Sequence, residues 1–196
     1  MSGRLIYVVG PSGAGKDSVL EYARTRLDAN AGIIFARRFI TRDPVAGGEQ
    51  HIPVSASDFE RIRNQGYFTL YWDANGLRYG IGKEIRNWMS LGFHVVINGS
   101  REYLPKALEQ YPDAYVICIT APVETIRDRL HQRGRESTDE IEKRIQRASM
   151  PTPAPGHQVT TIINDGTLGV AGDTLMRTLL SLKSRASSGY GMQSVH

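Results

Sequence analysis

The sequence predicts an α/β fold in three layers, a parallel sheet with helices on both faces. Three observations carry this. Apolar runs of strand length alternate with segments of helical periodicity along most of the chain. A glycine-rich loop, "GPSGAG", joins the first strand directly to the first helix. Residues 38 to about 80 break the alternation with glycine, proline, aromatic and charged residues, as an inserted lobe does.

The elements follow in order. "RLIYVV" is a buried strand, and "DSVLEYARTRL" sets Val19, Leu20, Ala23 and Leu27 on one helical face. "GIIFA" is a second short strand. After the irregular stretch, "GKEIRNWMSLG" is a helix ending at Gly92, and "FHVVIN" is a strand. "YLPKALEQY" is helical after its proline, "AYVICIT" is a strand, and "PVETIRDRLHQRG" is a helix with Pro122 near its first turn. "STDEIEKRIQRA" starts on Ser137, with Glu140 three residues on as the partner of a capping box. "MPTPAPG" stops that helix; "VTTIIN" is the last strand and "LGVAGDTLMRTLLSLK" the last helix. Residues 186–196 have nothing to pack against and read as a flexible tail. Strands joined by helices imply parallel pairing with both faces covered.

At 196 residues, 40% hydrophobic and 22% charged, the chain fits one globular domain, placed at 1–185. No apolar run approaches the roughly 18 residues of a membrane span, and "MSGRLIYVVG" lacks the anatomy of a cleavable signal. Cys118 stands alone within "AYVICIT" and reads as an inert buried thiol, which fits a cytoplasmic protein. Of the 24 basic residues, 19 are arginine. The planar arginine fork grips phosphate oxygens in pairs, so this bias suits small substrates carrying several phosphates. The arginines are dispersed and no nucleic-acid-binding module appears, so no nucleic-acid partner is expected.

The stretch Gly10–Pro11–Ser12–Gly13–Ala14–Gly15–Lys16 matches the phosphate-loop pattern GxxxxGK between a strand and a helix. Its glycines let backbone N–H groups turn inward; these and the helix N-terminus hold a triphosphate, while Lys16 reaches the outer phosphates. This marks a P-loop NTPase that binds a nucleoside triphosphate. Asp17 stands where the pattern has a hydroxyl that ligates Mg²⁺, and the strand "VVINGSR" ends on Asn98 where an acidic residue usually assists. Asp17 can supply the missing carboxylate, directly or through water, with Ser18 as a further oxygen. The other reading makes Asp17 only a charge at the positive end of the helix dipole.

The series "GPSGAGK", "RFITRDPVAGGE", "YGIGKE", "RLHQRGRE", "EKRIQRA" and "IIND" resembles the guanylate kinases and their relatives over most of the chain. The resemblance implies a kinase in three parts. These are a core (1–36 and 82–185), an acceptor-binding lobe (about 37–81) and a lid (about 133–150). It implies that Arg42 and Tyr79 hold the acceptor's phosphate, that His51 lies near a phosphate-binding tyrosine position, and that Arg133 and Arg144 are catalytic lid arginines.

The departures point to one branch. Leu70 or Tyr71 stands where guanylate kinases read guanine with a carboxylate, Arg38 replaces a small polar residue, and Val45 replaces a second arginine. Guanine's unpaired polar edges would cost several orders of magnitude in selectivity. The set "GPSGAGKDS", "RFITR", "AGGEQH", "YWDANGLRYGIG", "VVINGSR" and "RGRE" is similar, end to end, to the ribose 1,5-bisphosphate phosphokinases. That family makes 5-phosphoribosyl 1-diphosphate (PRPP) from ATP and ribose 1,5-bisphosphate in phosphonate degradation. The resemblance implies an acceptor with no base and a second phosphate, met by Arg38 and by Arg101 or Arg78, with Glu49 and His51 in acceptor recognition or lobe structure.

Overall fold

The computed structural model describes residues 2–42, 50–134, 137–154 and 156–188; the side chains of Arg133 and of residues 184–188 are not among the described parts. The chain opens with β1 (Leu5–Val9), the glycine loop, α1 (Lys16–Arg26), a 3-10 turn at Ala29–Ala31 and β2 (Ile33–Phe35). A second group follows: β3 (Phe39–Ile40), β4 (Ile52–Pro53), α2 (Ala56–Asn64), β5 (Phe68–Ala74) and β6 (Leu77–Gly82). The remainder is α3 (Glu84–Ser90), β7 (His94–Asn98), α4 (Leu104–Gln110), β8 (Tyr115–Thr120), α5 (Val123–Arg133), α6 (Thr138–Ala148), β9 (Val159–Ile163) and α7 (Leu168–Ser188).

The main sheet has the order β2-β7-β1-β8-β9 and is parallel throughout. Alternation along β1 divides its side chains between two cores. Ile6 and Val8 pack with Val19, Leu20 and Ala23 of α1 and with Leu175 and Leu179 of α7. Leu5, Tyr7 and Val9 face the other way, toward Ile85 of α3, Leu104 and Leu108 of α4, and the lobe residues Ile40, Leu70 and Ile81. This is the three-layer arrangement, and Cys118 is buried within it. No helix among the described residues is long and apolar enough to cross a membrane.

The stretch 38–80 is more regular than its composition suggests. It forms a second sheet, β4-β3-β6-β5, with α2 beside it. Ser55 caps α2, its Oγ accepting from the Asp58 N–H at 3.0 Å. β5 and β6 form an antiparallel hairpin closed by Asn75 and Gly76, both at positive φ (51° and 73°), the two-residue turn whose twist matches paired strands. α5 and α6 share a small core of their own, Ile126 and Leu130 against Ile141 and Ile145. The capping box at the start of α6 is complete: Ser137 and Glu140 each accept from the other's backbone N–H. α7 runs to Ser188, within the stretch expected as a tail, and residues 189–196 lie outside the described part.

Candidate active site

The C-terminal ends of β1 and β7 lie side by side, so the glycine loop after β1 faces the segment Asn98–Glu102 after β7. Gly15 is the N-cap of α1 in the left-handed region (φ 79°), and no side chain caps that helix end. Its first-turn N–H groups are therefore turned toward an anion, the helix dipole adding to their attraction. Asn164 holds the loop from behind, its Nδ2 donating to the Ala14 carbonyl at 2.8 Å, with Arg129 Nη1 at 3.4 Å. A Cβ at Gly15 would sit 2.5 Å from Asn164 Nδ2, so φ and contact both require glycine there. Lys16 Nζ donates to the carbonyls of Gly10 and Pro11 at 2.8 and 3.2 Å, which holds the ammonium against its own loop.

Asp17 is oriented from the neighbouring strand. Asn98, nearly buried at the end of β7, donates from Nδ2 to Asp17 Oδ1 at 2.6 Å. The strand-end amide thus orients the Asp17 carboxylate. Asp17 is exposed and lines the same cavity as Lys16. No group of three or more His, Cys, Asp or Glu occurs among the described residues, so no all-protein metal cage is present there. One oriented carboxylate beside a phosphate site fits Mg²⁺, which keeps waters and takes phosphate oxygens. Ser18 lines the two flanking cavities, not the one that Lys16 faces.

That central cavity has a volume of about 240 Å³ and brings together Lys16, Asp17, Arg38, Tyr79, Arg101 and Arg144. Five cationic side chains line it (these four and Arg147), against the two carboxylates Asp17 and Glu102. The lobe holds Arg38 through an aromatic column. Its guanidinium lies over the Tyr79 ring, 4.9 Å from the centroid, and Tyr79 stacks on Trp72 (5.6 Å, 3° between planes), which stacks on Tyr103. Burial pushes the Tyr7 phenol far up, so it stays protonated and donates to the Ser100 carbonyl at 3.1 Å. Gly99 admits this contact, since a Cβ there would lie 2.1 Å from the Tyr7 ring.

α6 reaches the glycine loop, with Arg144 Nη1 donating to Ser12 Oγ at 2.7 Å. Arg101, expected on the acceptor, donates to the carbonyls of Arg147, Ala148 and Met150 at the end of α6. Arg42 and His51 pair loosely on the lobe at 3.4 Å and do not line the central cavity. Arg78 is engaged by Glu60 at 2.7 Å. Glu49 and Val45 lie outside the described residues, as does the Arg133 side chain. Sequence reasoning missed Arg147, Trp72 and Asn75 in the cavity wall. It also missed a second cavity of about 330 Å³ behind the loop, lined by Arg129, Gln132, Asn164 and Gly166. A larger cavity, about 800 Å³, is elsewhere, at the N-terminal ends of the strands beside Arg4 and His94, and holds no predicted residue.

Comparison with known proteins decides the family. The chain is 45% identical over 177 residues to ribose 1,5-bisphosphate phosphokinase PhnN of Thiobacillus denitrificans, covering 90% of this chain and 93% of that protein. It is 47% identical over 178 residues to the protein of that name from Chromobacterium violaceum, covering 91% and 94%. The chain belongs to the ribose 1,5-bisphosphate phosphokinases. Members of this phosphokinase family are thus recognisable over nine-tenths of the chain, although no family model matches it. The phosphokinase fold is that of guanylate kinase: the crystal structure of the enzyme from Anaplasma phagocytophilum superposes with a TM-score of 0.66 at 16% identity, over 98% of both chains.

Proposed function

We propose that the chain transfers the γ-phosphoryl group of ATP to the 1-phosphate of ribose 1,5-bisphosphate, forming PRPP and ADP. The observation that carries this is the charge of the central cavity, five cations against the two carboxylates Asp17 and Glu102 around about 240 Å³. Leu70 is wholly buried in the core, and Tyr71 points out of the cavity wall with Arg63 over its ring. Neither offers guanine a carboxylate. The names of the related proteins support the same acceptor.

In this reading each residue has a role. ATP lies across the loop, its phosphates on the N–H groups of 10–18 and its base in the cavity beside Arg129, Gln132 and Asn164. Asp17 holds Mg²⁺, which when bound neutralises charge on the phosphoryl oxygens. Lys16, with Arg144 and Arg133 from the lid, stabilises the transferred group. Arg38 and Tyr79 hold the sugar bisphosphate; Arg42, His51 and Glu49 complete the lobe's side of it. The attacking 1-phosphate oxygen is already ionised at neutral pH, so no general base is needed and catalysis is alignment and charge neutralisation. The lobe (37–81) and lid (133–150) belong to one kinase domain over 1–185, working in the cytoplasm on these small substrates.

The test is ADP release with ribose 1,5-bisphosphate, ribose 5-phosphate, GMP and AMP as acceptors, with PRPP identified as product. The sugar bisphosphate should be used at least about a hundredfold more efficiently than GMP, the scale set by mismatched buried polar partners. Robust GMP phosphorylation with no PRPP formed overturns the reading.

A further inference from the structure

Arg101 is rooted in the core sheet and attached to the lid. It follows Ser100, whose carbonyl is fixed by Tyr7 of β1. Its guanidinium spans three carbonyls at the end of α6: Nη2 donates to Arg147, and Nη1 donates to Met150 at 2.9 Å and to Ala148 at 3.4 Å. The last carbonyls of a helix have no partner within it, and the dipole makes that end attractive to a cation. The arginine fork meets several carbonyls at once, which a lysine does not. The residue whose carbonyl it binds, Arg147, lines the central cavity one turn beyond Arg144, its Nε donating to the Lys143 carbonyl of its own helix at 3.3 Å. α6 is also attached through its packing on α5, which takes in Ile145 and Ala148 of its last turn, the Arg127–Glu142 ion pair and the Arg144–Ser12 bond. Arg101 adds a polar tie from that turn to the segment after β7.

We propose that Arg101 is a positioning residue, a latch that binds the C-terminal carbonyls of α6 and so places Arg147 as a further phosphate-binding residue of the acceptor half. Arg101 then acts through the lid and not on the substrate. The kinetic arm of this proposal rests on the kinase reading above; the exchange arm does not.

Two measurements test it. In the protein alone, Arg101→Ala should speed amide hydrogen exchange at residues 145–150 by about tenfold or more while β1 and β7 keep their protection. This needs no substrate, so it stands or falls independently of the acceptor. In turnover, Arg101→Ala should lower kcat and raise the acceptor KM, by about ten- to a hundredfold together, with the ATP KM nearly unchanged. Arg101→Lys, which returns a cation to the helix end, should recover part of the loss. The double variant Arg101→Ala with Arg147→Ala should be no worse than the poorer single variant, because an unlatched Arg147 has nothing left to lose. Arg101→Gln serves for all arms should the alanine variant fail to fold. Unchanged exchange at 145–150, or losses that multiply in the double variant, would show that Arg101 meets the substrate itself and would sink the latch.

Discussion

The two halves of the central cavity are built on different principles. In the proposed reading the donor half is drawn from one contiguous segment, Gly10 to Asp17, and works mainly through backbone N–H groups fixed by a strand, a turn and a helix end. The acceptor half is gathered from Arg38, the β5–β6 hairpin, the end of β7 and the lid helix, and works through side chains. A backbone cradle binds the same phosphates whatever the neighbouring side chains are. A side-chain wall can be rewritten for a new acceptor while the cradle stands, and in the proposed reading Leu70 or Tyr71 at the position of a guanine-reading carboxylate, with Arg38 at that of a small polar residue, is such a rewriting.

The largest break in this comparison comes at Lys16, a donor-side residue that acts by its side chain. Lys16→Ala should cost about a thousandfold or more in kcat with every acceptor while the thermal unfolding midpoint stays near wild type, because a transition-state charge is lost and no core packing. Turnover within about tenfold of wild type would remove Lys16 from the mechanism. Arg38→Ala should separate the halves: the sugar bisphosphate KM should rise by roughly thirty- to a hundredfold and the ATP KM by less than about threefold. Equal changes in both constants would mean the halves are not independent. Asp17→Asn should raise the Mg²⁺ concentration for half-maximal rate by roughly five- to tenfold, since the charge goes and the hydrogen-bonding shape stays. If stability alone changes, Asp17 serves only the helix dipole.

The smallest effect is a control at the far end of the sheet. His94 is buried, accepts the Arg4 N–H on Nδ1 at 2.9 Å, and is held below its ordinary value of 6.5 first by burial and then by Lys183. Below that value the unfolded chain takes up a proton before the folded one, so stability is complete above pH 6.5 and falls as pH drops through the lowered native value. His94→Gln should remove this loss, flattening the fall in unfolding midpoint between pH 7.5 and 5.5 by on the order of 3 °C, with activity at pH 7.5 unchanged. An activity change there would tie the far end of the sheet to the site.

Much of the core was legible because its signals are local. Buried strands next to Gly- and Pro-marked boundaries located β1, β7, β8 and β9, and Ser137 with Glu140 marked the start of α6. The lobe carried equally local signals that were passed over, Ser55 before α2 and the Asn75–Gly76 pair between two alternating runs. The site divides the same way. A contiguous motif placed Lys16 and Asp17, whereas Trp72, Arg147 and Arg129 meet their cavities only through tertiary packing, which spacing along the chain does not reveal. Arg101 shows the limit best: its type and position suited a phosphate, and only the fold brings the end of α6 to it.

Asn75 carries two demands on one residue. It sits in the wall of the central cavity and at the first position of a turn with φ of 51°. That backbone tolerates Asn, Asp or Gly with little strain. Aspartate would set another negative charge among phosphates, and glycine would bring no donor at all. The usable alphabet at this position is therefore short. A mutational library aimed at widening the range of acceptors would lose most variants at position 75 to a loosened hairpin before selectivity could be read, with Asp and Gly the readable exchanges there, and the wider room for innovation lies at Arg38.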